Sequence, residues 1–273
     1  MKKIIVALDG EHFPMGAFEF AKCINEGSDI LLAGVFLSSV DYSKLLAFSG
    51  IDGVTLMPEL LMRNDDDELI SRNIHLFEEA CTRDGMHFRV HKDNNGMALA
   101  SLVEETRFAD LLLVSSELFY KNVGDRQPNF YLEEILKKSE CPVMLVPEKF
   151  REPVEILLAY DGSESSVFAI KQFAYLFPEL AGKPATLFSI GADEDLPQYS
   201  LVTELISRHY PNLQVEHKRM VDKRDFTAWL NEHAESYIVM GAFSRNFLSQ
   251  FFKKSFASSV IAENRMLVFI SHK

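Results

Sequence analysis

Near its end the chain reads Tyr237-Ile-Val-Met-Gly-Ala-Phe-Ser244, and a second apolar run, Met266-Leu-Val-Phe-Ile270, follows after a polar, helix-like segment. An apolar run that stops at a glycine, then a loop, a helix and another apolar run describe half of a nucleotide-type α/β unit. Gly241 lets the backbone turn tightly and come close to a ligand. A helix that begins near Ser255 would point free N–H groups at the same loop, where phosphate oxygens bind well.

A long internal repeat extends this pattern to the whole chain. The segments 3–10 and 155–162 align without a gap, and each is a buried-strand pattern that stops at Asp-Gly. A unit of this length indicates a duplicated domain, because solenoid repeats span only about 20–50 residues. We therefore predict one domain at 1–149 and another at 153–273, joined by a charged linker that prolines bracket.

The order of apolar runs and helical patterns predicts the fold class. Strands that alternate with helices, and that are apolar along their whole length, indicate α/β domains with a parallel sheet covered on both faces. In such doubly wound, Rossmann-like sheets, ligands bind at the carboxyl ends of the strands. The first copy also contains an unusually long insertion at 38–67, which is rich in apolar residues. This insertion packs on the second copy, covers the crevice of the first copy, or lines a different pocket.

The spacing of four residues in the second copy carries a family resemblance. Gly241, Ser244, Lys254 and Ser255 fall on a frame of Gly, two residues, Gly, nine residues, Gly and then Ser or Thr. This frame resembles the phosphate-binding motif of the universal stress protein family, with serine and lysine at the second and third glycine positions. The resemblance covers the whole chain, once per half, but the motif survives only in the second half.

The resemblance implies a fold and a set of contacts. It implies two domains in tandem, each with strand order 3-2-1-4-5, related by a pseudo-twofold axis as in an intramolecular pseudo-dimer. The last strands of the copies, at 143–146 and 267–270, are the candidates for the contact between them. The resemblance assigns nucleotide contacts to Asp161, Gly241, Ser244, Lys254 and Ser255, with Asp161 near the adenosine part of ATP.

The residues themselves do not decide whether the second copy binds a nucleotide. Asp161 and Ser163 are also ordinary helix-capping residues. Lys254 places a side chain where the family motif has no Cβ, yet its ammonium group is able to pair with phosphate. The first copy is a degenerate counterpart: Asp9 and Gly10 are present, but Glu117 follows the later strand and would repel an anion. We expect no family-type ATP binding there.

Composition excludes several function classes. A net charge of −12 argues against binding to nucleic acid or to anionic membranes. The three cysteines are far apart and lack metal-ligand spacing, which is typical of a reduced cytoplasmic protein. No catalytic nucleophile motif and no metal site is present in the sequence, so we expect no enzymatic activity, and ATP is the only cofactor that the resemblance suggests.

These observations leave three hypotheses for function. The first is a non-enzymatic stress-response protein whose nucleotide binding is weakened or lost and which acts through a protein partner or a pocket ligand, alone or as a homodimer. The second is an ATP-binding module in the second domain, with slow hydrolysis. The third is a small-molecule sensor that uses the 38–67 insertion of the first domain.

Overall fold

The computed structural model describes residues 1–8, 12–37, 66–92, 98–115, 135–190, 196–218, 228–229, 231–241 and 266–271. In the first half the elements are β1 Lys2–Leu8, α1 Met15–Gly27, β2 Ile30–Phe36, α2 Asp66–Arg83, β3 His87–Lys92, α3 Ala98–Thr106, β4 Leu111–Ser115 and β5 Val143–Val146. In the second half they are β6 Glu155–Ala159, α4 Glu164–Leu176, β7 Ala185–Ile190, α5 Tyr199–His209, β8 Leu213–Lys218, β9 Ser236–Gly241 and β10 Leu267–Ser271. All but two residues of the 38–67 insertion lie outside the described ranges.

All described strands join a single sheet. It has ten strands in the order β3-β2-β1-β4-β5-β10-β9-β6-β7-β8. The first five positions reproduce the order 3-2-1-4-5, and the last five repeat it in reverse, so the predicted fold class is confirmed. The strands within each half are parallel. The sheet therefore brings the carboxyl ends of β1 and β4, and those of β6 and β9, to neighbouring positions.

The two halves meet through their last strands, at the two segments that the sequence marks as candidates. β5 and β10 pair antiparallel, with Met144 opposite Phe269. The registers of the neighbouring strands make these two residues equivalent positions in the two copies. Two equivalent residues that face each other define a local twofold relation, as in an isologous dimer interface. The chain thus forms within itself the kind of contact that two separate subunits would form.

A shared apolar core joins the halves on one face of the sheet. α1 of the first half and α4 of the second half both contribute to this core. Phe20 of α1 lies 5.6 Å from Phe150, 6.1 Å from Phe177 and 6.4 Å from Tyr237, measured between ring centroids. Aromatic rings at such distances contribute beyond their buried area. The first half is therefore packed directly onto the second half.

Ion pairs at the surface accompany this core. Lys2 lies 3.7 Å from Glu179, and Lys183 lies 2.8 Å from Glu152, so each pair joins a residue of the first half or the linker to the second half. Exposed pairs of this kind contribute little individually. The packing of the aromatic core therefore dominates the association.

Within the described ranges, none of the helices combines the length and hydropathy needed to cross a bilayer.

Candidate functional site

The predicted second site lies at one edge of the sheet. β6 and β9 are adjacent and parallel, with Leu158 opposite Val239. Asp161 follows the end of β6 and Gly241 ends β9, so the structure brings these two predicted site residues to the same edge. Ser244, Lys254 and Ser255 lie outside the described residues. The predicted contacts of these three residues remain predictions.

Asp161 takes part in a capped turn that starts α4. Its Oδ1 atom accepts a hydrogen bond of 3.0 Å from the backbone N–H of Ser163. Gly162 between them has φ +80°, a left-handed conformation that favours glycine. Ser163 is the N-cap of α4: its Oγ atom accepts a hydrogen bond of 3.1 Å from the backbone N–H of Ser166. The carboxylate of Asp161 is exposed beside this helix N-terminus, so its capping role is compatible with contact to a ligand.

Gly241 has a packing role that sequence reasoning missed. A Cβ atom added at Gly241 would lie 2.5 Å from the carbonyl carbon of Ser165 and 2.7 Å from the backbone nitrogen of Ser166. Both atoms belong to the first turn of α4. The glycine therefore allows the end of β9 to pack directly against this helix. Packing alone accounts for its presence, whatever ligand binds nearby.

A segment before α5 packs against the turn that holds Asp161, and sequence reasoning did not single it out. A Cβ atom at Gly162 would lie 2.8 Å from the Cβ atom of Pro197, so the turn after β6 abuts this proline. The hydroxyl of Tyr160 donates a bond of 2.8 Å to the carbonyl oxygen of Pro197. Burial, and then the charge of Asp161, raise the pKa of Tyr160, so the hydroxyl stays protonated at neutral pH. Gln198, which precedes α5, has φ 46° and ψ 40°.

The first half has a different arrangement at the corresponding edge. The strand registers place Ser115 at the position equivalent to Gly241. The Oγ atom of Ser115 donates a bond of 3.4 Å to Oε2 of Glu148, and Oε1 of Glu148 accepts a bond of 3.2 Å from the N–H of Met15. Asp9 and Gly10 lie outside the described residues. A carboxylate of the chain itself therefore occupies the space between β4 and the start of α1.

The described cysteines have the properties of structural residues. Burial raises the pKa of Cys81 and Cys141 to about 12, so both thiols are protonated at neutral pH. The thiol of Cys23 also has a raised pKa, first through burial and then through the charge of Glu152. Among the described residues, no group of three His, Cys, Asp or Glu side chains is placed to hold a metal ion.

Solved structures of other proteins have a fold similar to that of this chain. No protein-family model matches the chain, and no curated protein matches it. A universal stress protein from Archaeoglobus fulgidus has a similar structure, with a TM-score of 0.63 and 13% identity over 100% of this chain and 96% of that chain. A putative universal stress protein from Pseudomonas aeruginosa matches with a TM-score of 0.50 and 16% identity, over 100% of this chain and 93% of that one.

A membrane transporter also contains a domain with this shape. The cytoplasmic domain of a prokaryotic cation chloride cotransporter matches with a TM-score of 0.53 and 11% identity, over 98% of this chain and 94% of that chain. One architecture thus occurs in proteins of different function, as is common for α/β folds. At these identities the likeness concerns the fold. Over its full length, the chain has the α/β fold of the universal stress proteins.

Proposed function

We propose that the chain is a non-enzymatic, cytoplasmic stress-response protein of the universal stress protein type, in which nucleotide binding is weakened or lost. It acts through a protein partner, either as the fused pair of domains alone or as a dimer of such pairs. The likeness of fold over the whole chain supports the type. The observation that carries the loss of binding is Lys254, which stands in the sequence where the family motif has its third glycine. The close approach of Gly241 to the backbone of Ser165 and Ser166 gives the remaining glycine of the motif a packing role. Because packing explains this glycine, its presence is no evidence for a bound phosphate.

Charges near the site also favour weak binding of ATP. Glu164 lies in the first turn of α4. The chain as a whole carries a net charge of −12. A carboxylate at this place repels a phosphate chain, at a cost of about 1 kcal/mol for contact distances in water and more where water is excluded. The favourable N-terminus of α4 offsets only part of this cost.

A calorimetric titration tests this proposal. ATP with Mg²⁺ is titrated into the intact protein and into the variant Lys254→Gly, which restores the family residue at that position. We expect no measurable binding to the native chain and a gain of binding in the variant. Micromolar binding by the native chain would overturn the proposal. Absence of binding in both proteins would mean that residues other than Lys254 weaken the site.

A second candidate function is a true ATP-binding module in the second domain, with slow hydrolysis. The exposed carboxylate of Asp161 at the end of β6 favours it, because that is where the resemblance expects an adenosine contact. The variant Asp161→Asn tests this directly, since the amide oxygen still accepts the N–H of Ser163 and the turn is kept. If the module is real, the native chain binds ATP and the variant binds it at least tenfold more weakly.

A further inference from the structure

α1 begins without a cap of its own. Pro14 precedes Met15, and no side chain at that position accepts a hydrogen bond from the first turn. The N–H of Met15 donates to the carbonyl oxygen of Phe13 at 2.9 Å and also to Oε1 of Glu148 at 3.2 Å, a residue 133 positions further along the chain. A carboxylate is well suited to this place, because the first turn of a helix presents free N–H groups and partial positive charge.

The same carboxylate also joins the sheet. The side chain of Ser115, which is buried at the end of β4, donates to Oε2 of Glu148 at 3.4 Å. Glu148 thus uses one oxygen for the helix and the other for the strand. A Cβ atom at Gly16 would overlap the carbonyl oxygen of Pro147 and would lie 2.9 Å from that of Glu148, so the linker backbone runs directly over the first turn of α1.

Among the described residues of the second half, the equivalent helix starts differently. Ser163 caps α4 from within its own sequence. The strand registers make Val146 equivalent to Ser271. Two residues after each position, the first half has Glu148 and the second half has Lys273, which carries the opposite charge. The two copies therefore differ in charge at this position of the sequence, so the repeated fold does not explain the carboxylate of the first half.

We propose that Glu148 is an internal anion that closes the first half to anionic ligands. A helix N-terminus and a serine hydroxyl are the donors that bind phosphate and other oxyanions in proteins. Here both donate to a carboxylate that the chain holds in place, so an incoming anion competes with a tethered one and meets its negative charge. This inference stands whether or not the second half binds ATP. Removal of the carboxylate leaves an anion position that inorganic phosphate fills.

Thermal unfolding in phosphate tests the proposal. The variant Glu148→Ala loses the cap of α1, and we expect its Tm to fall by about 2 to 4 °C in chloride buffer. Phosphate at the same ionic strength, used as the probe, restores at least half of this loss with saturation. The native protein shows no comparable response. Combining Glu148→Ala with Ser115→Ala removes a donor and weakens the recovery.

A second linker carboxylate provides the matched control. Glu152 pairs with Lys183 at 2.8 Å. We expect Glu152→Ala to lose this pair without any response specific to phosphate. Equal phosphate responses in Glu148→Ala, Glu152→Ala and the native protein would overturn the proposal. If Glu148→Ala does not fold in chloride, its refolding yield is measured against phosphate concentration: recovery supports the proposal, and no recovery contradicts it.

Discussion

Replacement of Gly241 by alanine tests how β9 and α4 fit together. The added Cβ atom would lie 2.5 Å from the carbonyl carbon of Ser165 and 2.7 Å from the backbone nitrogen of Ser166. No side-chain rotation relieves a contact with backbone, so the first turn of α4 must retreat by roughly 1 Å to reach an ordinary van der Waals distance. Ser163, which caps this turn, must move with it.

The expected cost follows from two opposing effects. Overpacking of this kind destabilises a protein by about 1–3 kcal/mol. Alanine also restricts the unfolded chain more than glycine does, which returns about 0.4–1 kcal/mol. We therefore expect Gly241→Ala to lower the free energy of unfolding by about 1 kcal/mol, the difference between these two effects.

Urea unfolding measures this loss. The fluorescence of Trp229, the only tryptophan of the chain, reports on the second half, where its ring is buried. Gly182→Ala is the matched control, because a Cβ atom there meets no atom within 4 Å. We expect this control to change stability by less than about 1 kcal/mol. If Gly241→Ala is as stable as Gly182→Ala, the described contact between β9 and α4 is wrong.

Three further predictions concern the core. Tyr237→Phe removes a buried hydroxyl that has no hydrogen-bond partner among the described residues, so the free energy of unfolding should be unchanged or higher by about 1 kcal/mol. Tyr210→Phe removes a hydroxyl that donates a hydrogen bond of 3.0 Å to the carbonyl oxygen of Ile170, so the free energy of unfolding should fall by about 1 kcal/mol. Reversal of this order in urea unfolding would contradict the described hydrogen bonds. Phe20→Ala should cost about 3–5 kcal/mol and lower the midpoint seen by Trp229 fluorescence, although Phe20 belongs to the first half. An unchanged midpoint would mean that the halves unfold separately. Burial raises the pKa of the Cys81 and Cys141 thiols from 9.0 to about 12. These thiols therefore favour the folded state below pH 9, and their contribution to the free energy of unfolding is lost as the pH rises from 9 towards 12. The free energy of unfolding should fall less steeply across this range when both cysteines are replaced by alanine.

The fold could be predicted because its signals are local and repeated. The two Asp-Gly strand ends, at 9–10 and 161–162, mark the start of each copy without knowledge of contacts. The apolar ends at 143–146 and 267–270 are too uniform to face water on either side, and they are the strands that pair between the halves. The strand order itself came from the family resemblance, because periodicity does not specify which strands are neighbours.

The fine structure of the sites could not be predicted, because it depends on distant contacts. Glu148 reads in the sequence as one charge in a charged linker, and only the fold brings its carboxylate to Met15, 133 residues away. Gly241 reads as a phosphate-binding glycine, whereas the structure gives it a packing partner in α4. Pro197 carries no motif at all, yet it lies against the turn at Gly162. Such roles follow from the approach of whole elements, which local patterns do not encode.

The most direct test of the proposed loss of nucleotide binding is the Tm of the native chain with and without Mg²⁺ and millimolar ATP. A ligand present at about 1,000 times its dissociation constant stabilises a protein by about 4 kcal/mol. For a protein of this size, micromolar affinity would therefore raise the Tm by about 8 to 16 °C. We predict an increase of no more than about 1 to 2 °C, as expected for millimolar affinity or weaker. An increase in the larger range would contradict it and make the second domain an ATP-binding module.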